Sequence, residues 1–265
     1  MAHPVVITST DIRRIGLFRR VVRLQQSVQA SAQEKPQAPD AVQDWRLRAD
    51  GTFILAVHKS IGAAESHLLK NRAEKKKWDR RKKELLLLLM LMYFNHAARK
   101  AYGELLPELE RASKPSSEGI KALSSSAEDM PFLDQRLNNL RPFLGKSIDT
   151  LAEAADTPTD AMAIEALAKK ARSIEANEGR RVAETEAQGI LLAAQLRALQ
   201  NHGYAKKRWV TCNDEKVRES HMQCEAQAPI ALTARFQNGL LYPGDPAGSA
   251  AETCNCRCWL EGVWK

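Results

Sequence analysis

GYAKKRWVTCNDEKVRESH, residues 203–221, is the stretch where the sequence changes character. Before it, apolar residues recur at helical spacing. After Gly203 comes a short β-favouring run, Arg208-Trp209-Val210-Thr211, and then turn residues in quick succession: Asn238-Gly239, Pro243-Gly244-Asp245-Pro246 and Gly248. Asn213 or Asp214 is placed to cap a short helix running through His221, and Thr253 to Leu260 reads as a closing strand. The expected fold class is therefore α+β: a mostly helical N-terminal two-thirds with long helices, then a small turn-rich α+β module at the C-terminus. A module of about 60 residues buries little apolar surface and commonly needs a metal or a partner to hold it.

Upstream of that boundary the sequence divides into three further stretches. Residues 1–45 hold a basic helix over 11–30 and a linker through Pro36 and Pro39. Residues 46–150 hold a helix from about Phe53, a run of cations, an apolar run and a flexible connection over Ser113 to Ser126. The helix is expected either to run on through the cations to Gly103 and Pro107 or to break among them. Residues 151–203 read as a helical pair. Thr157 is the expected N-cap with Pro158 at the first helical position, Gly179 breaks or kinks the pair, and Gly203 caps the second helix. Residues 204–265 are the C-terminal module.

Apolar residues make up 44% and charged residues 27%, the composition of a core-forming chain. The net charge of +8 is unevenly placed: of the 40 Lys and Arg and 32 Asp and Glu, residues 1–110 carry 20 and 12 and the remainder 20 and 20. The surplus lies entirely in the first 110 residues and points to an anionic partner there. Its densest part comprises Lys70, Arg72, Lys75, Lys76, Lys77, Arg80, Arg81, Lys82 and Lys83, nine cations able to neutralise phosphates; a solvated helix face or a subunit contact reads equally well. Leu85 to Phe94 is apolar all round a helix, so burial on several sides, in an oligomer, is expected. At ten residues it is about half of the roughly 20 needed to span a bilayer, and Met1 to Thr10 lacks the pattern of a secretory signal, so no membrane span is expected.

All five cysteines, Cys212, Cys224, Cys254, Cys256 and Cys258, fall in the last 54 residues. An odd, clustered set argues against a disulfide scaffold and favours metal binding over plain buried or oxidised thiols or a nucleophile. Cys254, Cys256 and Cys258 would share one face of a strand, and His221 and Cys224 one face of a short helix. Tetrahedral zinc takes four such donors, and His221, Cys224, Cys256 and Cys258 are the expected set, with Cys254 and Cys212 in reserve. Arg218 is expected to pair with Glu184 or Glu186 and dock the module, Asp214 to cap a helix, and Trp209 and Phe236 to be core. His58, His67 and His96 carry no assignment.

One set of residues adds a resemblance. Trp209-Val210-Thr211, Asp214, Val217-Arg218, Ser220-His221, Phe236, Asn238-Gly239, Tyr242-Pro243-Gly244-Asp245-Pro246 and Asn255-Cys256-Arg257-Cys258 resemble, in this order, the Mu F-like head morphogenesis family of tailed phages. Ala183-Glu184-Thr185-Glu186 resembles a helix motif of the same family. The likeness covers about Arg172 to Leu260, a third of the chain. It implies a minor head protein present in several copies per virion, associated with the portal or major capsid protein inside the capsid and contacting packaged double-stranded DNA, with the host cytoplasm as the place of assembly. Some members carry a Cys-x-x-Cys where Arg218 and His221 stand here, so the first of those metal positions is lost and Cys224 is its nearest replacement. A nucleic-acid-binding or DNA-ejection protein is the alternative. An enzyme or toxin-associated module ranks below both, because no phosphate-binding Gly loop, His-Glu-x-x-His or nucleophile–base pattern occurs and no catalytic residue is expected.

Overall fold

The structure, a computed structural model, describes residues 40–74, 78–113, 130 and 132–264, and Pro36–Lys265 forms one compact unit. The fold is α+β. Among the described residues, five long helices, α1 (Asp40–Ala73), α2 (Arg80–Ala112), α3 (Leu133–Ala155), α4 (Asp160–Ile174) and α5 (Arg180–Asn201), precede a module made of β1 (Lys206–Val210), α6 (Glu219–Ala226), β2 (Ile230–Ala231), α7 (Ala250–Thr253) and β3 (Trp259–Val263). The expected basic helix over 11–30, the linker before Asp40, Lys75 to Lys77 and most of the Ser113–Ser126 connection lie outside the described residues. No helix among the described residues is long and apolar enough to cross a membrane.

The α1–α2 break falls inside the cation run, at Asp79. Its extended backbone and its side chain, which accepts from the Lys82 amide at 3.0 Å, cap α2. At its other end α2 passes Gly103 and Pro107 and stops only at Ala112. Proline costs that helix one backbone bond, and tertiary contacts offset it: Leu105, Leu106 and Leu109 are buried, and Glu108 accepts from Trp45 and Arg48 of α1. The same contacts explain why α1 starts at Asp40 rather than beyond Gly51. The apolar run is buried on one side only. Leu86, Leu87, Met90, Leu91 and Phe94 face the core, with the Phe94 ring 6.4 Å from that of Phe53, while Leu85, Leu88 and Met92 are exposed.

The N-cap of α4 is Thr159, whose hydroxyl accepts from the Met162 amide, and not Thr157. Arg72 moves the start: it donates to the carbonyls of Ala155 and Thr157 and pairs with Asp160, holding Pro158 outside the helix. Between α4 and α5 the chain continues through a π turn, Glu175–Gly179, in place of a break. A β-carbon on Gly179 would come within 2.7 Å of Val57, so glycine lets α1 pass close by. Gly203 (φ 72°) ends α5 in a Schellman arrangement, with the Gly203 amide on the Gln200 carbonyl and the Tyr204 amide on that of Leu199.

α5 is buried on most sides, packing against α1 and α2 and against β3. The sheet order is β2-β1-β3, both pairings antiparallel, with Trp209 opposite Leu260. Polar side chains of α5 bond the backbone of the module: Gln188 donates to the Cys258 carbonyl at 2.6 Å, while Gln195 donates to the Leu260 carbonyl and accepts its amide. The expected docking pair of Arg218 with Glu184 or Glu186 does not form. Arg218 bonds the Cys254 carbonyl, Glu184 pairs with Arg180, and Glu186 pairs with Arg136 of α3. Arg136 is buried, and its second Nη donates to the Gly244 carbonyl. Burial raises the Glu186 carboxyl above its ordinary value, with the Arg136 charge opposing that rise. A β-carbon on Gly189 would strike the guanidinium, so glycine opens the slot for it.

Two outcomes follow. Replacing Arg136 with Ala strands a buried carboxylate and should cost about 3–5 kcal/mol in denaturant unfolding, whereas Arg136→Ala with Glu186→Leu should cost less than the sum of the single changes. Lys207 is fully buried, donating to the carbonyls of Leu232 and Leu241, and burial pulls its pKa down to about 8. With the unfolded value at 10.5, the unfolded chain binds more protons between those limits, so this group makes the fold gain stability from pH 8 to 10.5. Lys207→Met should flatten that rise in a pH series of melts.

Candidate metal centre

Trp209, the fourth residue of the central strand β1, is fully buried and forms the floor of the module's core. The His221 ring meets it edge-on at 4.9 Å between centroids and Phe236 does so at 5.1 Å, so both aromatic residues are core as expected. Over this floor three donor groups converge. His221 Nδ1 lies 3.4 Å from Cys258 Sγ and 3.8 Å from Cys256 Sγ, and all three side chains are buried. Their ligand atoms lie within 4.8 Å of one another.

The three thiols do not ride on a strand. β3 begins at Trp259, and Cys254 and Asn255 form a turn in which Asn255 takes a left-handed backbone (φ 54°). That turn ends the alternation on which a shared face depends. Cys256 and Cys258 turn inward, while Cys254 stays half-exposed with its carbonyl held by Arg218. α6 also starts later than expected, at Glu219, with Arg218 as N-cap position. Asp214 instead closes a turn on the Lys216 amide and grips Arg257, whose hydrogen bond holds the Asp214 carboxyl below its ordinary value. The Arg257 pairing fixes the residue between the two inward thiols.

Cys224 is not part of the converging group. Its thiol is fully buried against the backbone of Asn238 and Gln237, and burial raises its pKa. Residues three apart on a helix differ by about 60° in direction and about 4.5 Å along the axis, an offset that the short thiol side chain does not span. Cys212 is buried beside Asp214 and Arg257, with its pKa also raised by burial. All five cysteines are free thiols.

The chemistry of the group suits a metal. A zinc ion with bonds of about 2.3 Å to sulfur and about 2.0 Å to nitrogen in tetrahedral geometry sets its N and S ligands roughly 3.5 Å apart, and the observed 3.4 and 3.8 Å straddle that value. Cys256 titrates well below the ordinary thiol range, through the hydrogen bond from Cys258 and then that of His221, while Cys258, which supplies that bond, is raised. The buried indole N–H of Trp209 has no oxygen or nitrogen acceptor and instead favours charge on the Cys258 sulfur. On the far side of the imidazole, Nε2 lies 3.1 Å from a Glu252 oxygen. Nothing in the sequence reading singled out Glu252; it is one acidic residue in a short segment between turns, and only the folded α7 sets it beside His221.

The nine cations of the basic run are not equivalent. Arg72 is bound to Asp160 and two carbonyls, Lys82 donates to Asn71, and Lys83 pairs with Asp149. Lys70, Arg80 and Arg81 are exposed where α1 ends and α2 begins. Lys75, Lys76 and Lys77 lie outside the described residues. His67 and His96 are exposed, and His58 bonds Glu175 of the π turn at 3.0 Å.

No family model, curated protein or solved structure matches this chain.

Elemental analysis of purified protein should find close to one zinc per chain, falling with Cys256→Ser or Cys258→Ser and unaffected by Cys224→Ser. Chelation should raise hydrogen exchange after Trp209 and leave α1 and α2 protected. Metal-free protein whose Cys256 and Cys258 alkylate freely in the native state would rule the centre out.

Proposed function

We propose that the chain is a phage minor head protein, a structural component bound at the portal or the inner capsid surface, whose C-terminal module is held by a zinc ion on His221, Cys256 and Cys258. One observation carries this reading. Several of the residues through which the sequence resembles the Mu F-like family build a single buried centre: Trp209 meets His221 and Phe236, His221 meets Cys256 and Cys258, and Tyr242 to Pro246 form the loop that receives Arg136 and Asn139 of α3. Structural zinc contributes folding free energy to small modules, and a module docked by buried bonds onto a long helical body suits a scaffold part. The virion is its proposed location and the host cytoplasm its place of assembly, with several copies per particle. Localising the protein in assembled particles by labelled-chain microscopy is the test: density at the portal vertex or inner shell fits, and its absence from purified heads removes the reading.

The basic run supports contact with packaged double-stranded DNA as an added role. Lys70, Arg80 and Arg81 are exposed, and Lys75, Lys76 and Lys77 fall between them in the sequence. Each phosphate contact adds to a salt-dependent affinity with a slope of about −0.9 per contact. Changing Lys75, Lys76 and Lys77 to Glu should weaken association with duplex DNA by at least tenfold at low salt and flatten its salt dependence, with the melting of the fold unaltered. Unchanged binding at low salt would remove DNA from the partner set.

A further inference from the structure

We infer that Glu252 is the positioning residue of the centre, fixing His221 as an Nδ1 ligand by accepting its Nε2–H. The inference rests on the proposed metal reading and goes beyond it to a residue outside the donor set. An imidazole can bind an ion through either nitrogen, and the hydrogen bond on the other nitrogen decides which. Here Nδ1 faces the two sulfurs and Nε2 faces a carboxylate, so the tautomer with its proton on Nε2 satisfies both sides. Glu252 cannot itself reach the same ion, because the ring stands between its oxygens and the thiols.

The carboxylate is held for this task. Ser220 Oγ lies 3.0 Å from both of its oxygens, which share the one O–H, and Asn238 Nδ2 donates to the oxygen that faces His221 at 3.3 Å. Three segments thus converge on Glu252: α6 through Ser220 and His221, the Asn238-Gly239 turn, and α7, which carries the residue. Glu252 stands four residues before Cys256 and two after Ala250, the first residue of α7. One short segment therefore brings both the outer partner of the histidine and the first thiolate, and the histidine is clamped between them. Loss of such an outer partner typically costs 10–100-fold in metal affinity.

The test uses the full chain and zinc alone. Chelator competition should give the parent protein a zinc affinity that drops about tenfold in Glu252→Gln, which keeps an acceptor but no charge, and towards 100-fold in Glu252→Ala. Two further measurements separate positioning from folding. Cobalt substitution should show a tetrahedral ligand-field spectrum that shifts in Glu252→Ala, and imidazole 15N shifts should report Nδ1 metallated and Nε2 protonated in the parent. If Glu252→Ala does not fold, Glu252→Gln and the parent's 15N shifts decide alone. Zinc affinities within twofold of the parent in the variants that fold, or His221 metallated through Nε2, would overturn the inference while leaving the centre intact. A parent protein that binds no zinc would overturn both.

Discussion

A guanidinium buried away from water needs partners for its charge, and Arg136 is so placed, with both Nη groups bonded and Nε left without an acceptor among the described residues. Its partners come from two other parts of the chain, the Glu186 carboxylate on α5 and the Gly244 carbonyl in the loop of the module. The slot it occupies exists only because Gly189 has no side chain, and Gly244 lies against the same glycine, where a β-carbon would come within 3.1 Å of the Gly189 α-carbon. With φ at +79°, Gly244 also adopts a backbone that other residues rarely do. Helix α3, helix α5 and the 242–246 loop are therefore held in a single relation. The position of everything downstream of Gly203 on the helical body depends on it.

From that docking the candidate centre follows. Gln188, one residue before Gly189, donates to the Cys258 carbonyl, and Thr185 receives the Asn255 amide at 3.4 Å. The backbone on each side of Cys256 is thus moored to α5, while its side chain and that of Cys258 point away from the helix towards His221. The helix supplies the rigid wall and the small module supplies the donors. This division gives the centre a precision that a 60-residue module would have difficulty reaching alone.

Some of this was readable from the chain. The change at Gly203, the α+β class and the core role of Trp209 and Phe236 follow from turn chemistry and apolar pattern, because these are local signals; His221 does meet Cys256 and Cys258, but across 35 and 37 positions and not on the strand face that their spacing suggests. The N-cap of α4, the length of α2 and the docking arginine were not readable, since each is decided by a distant partner. Arg72 reaches Thr157 across 85 positions, and Glu108 is tied to Arg48 across 60. Cys224 shows the same limit from the other side. Three-residue spacing places it on the face of His221, yet the Asn238-Gly239 turn, a neighbour only in the fold, claims its thiol. Asn255 is a finer case: a single left-handed residue ends the alternation that Cys-x-Cys-x-Cys suggests.

The sheet has another property. Its two outer strands are β2, two residues long, and β3, and open strand edges invite pairing with other chains. On β3, Gln195 occupies the Leu260 amide and carbonyl with the two ends of one side-chain amide, imitating the neighbour strand that is missing. Gln188 does the same for the carbonyl at Cys258. The brevity of one edge and the glutamine cover on the other leave little backbone to template a growing cross-strand array.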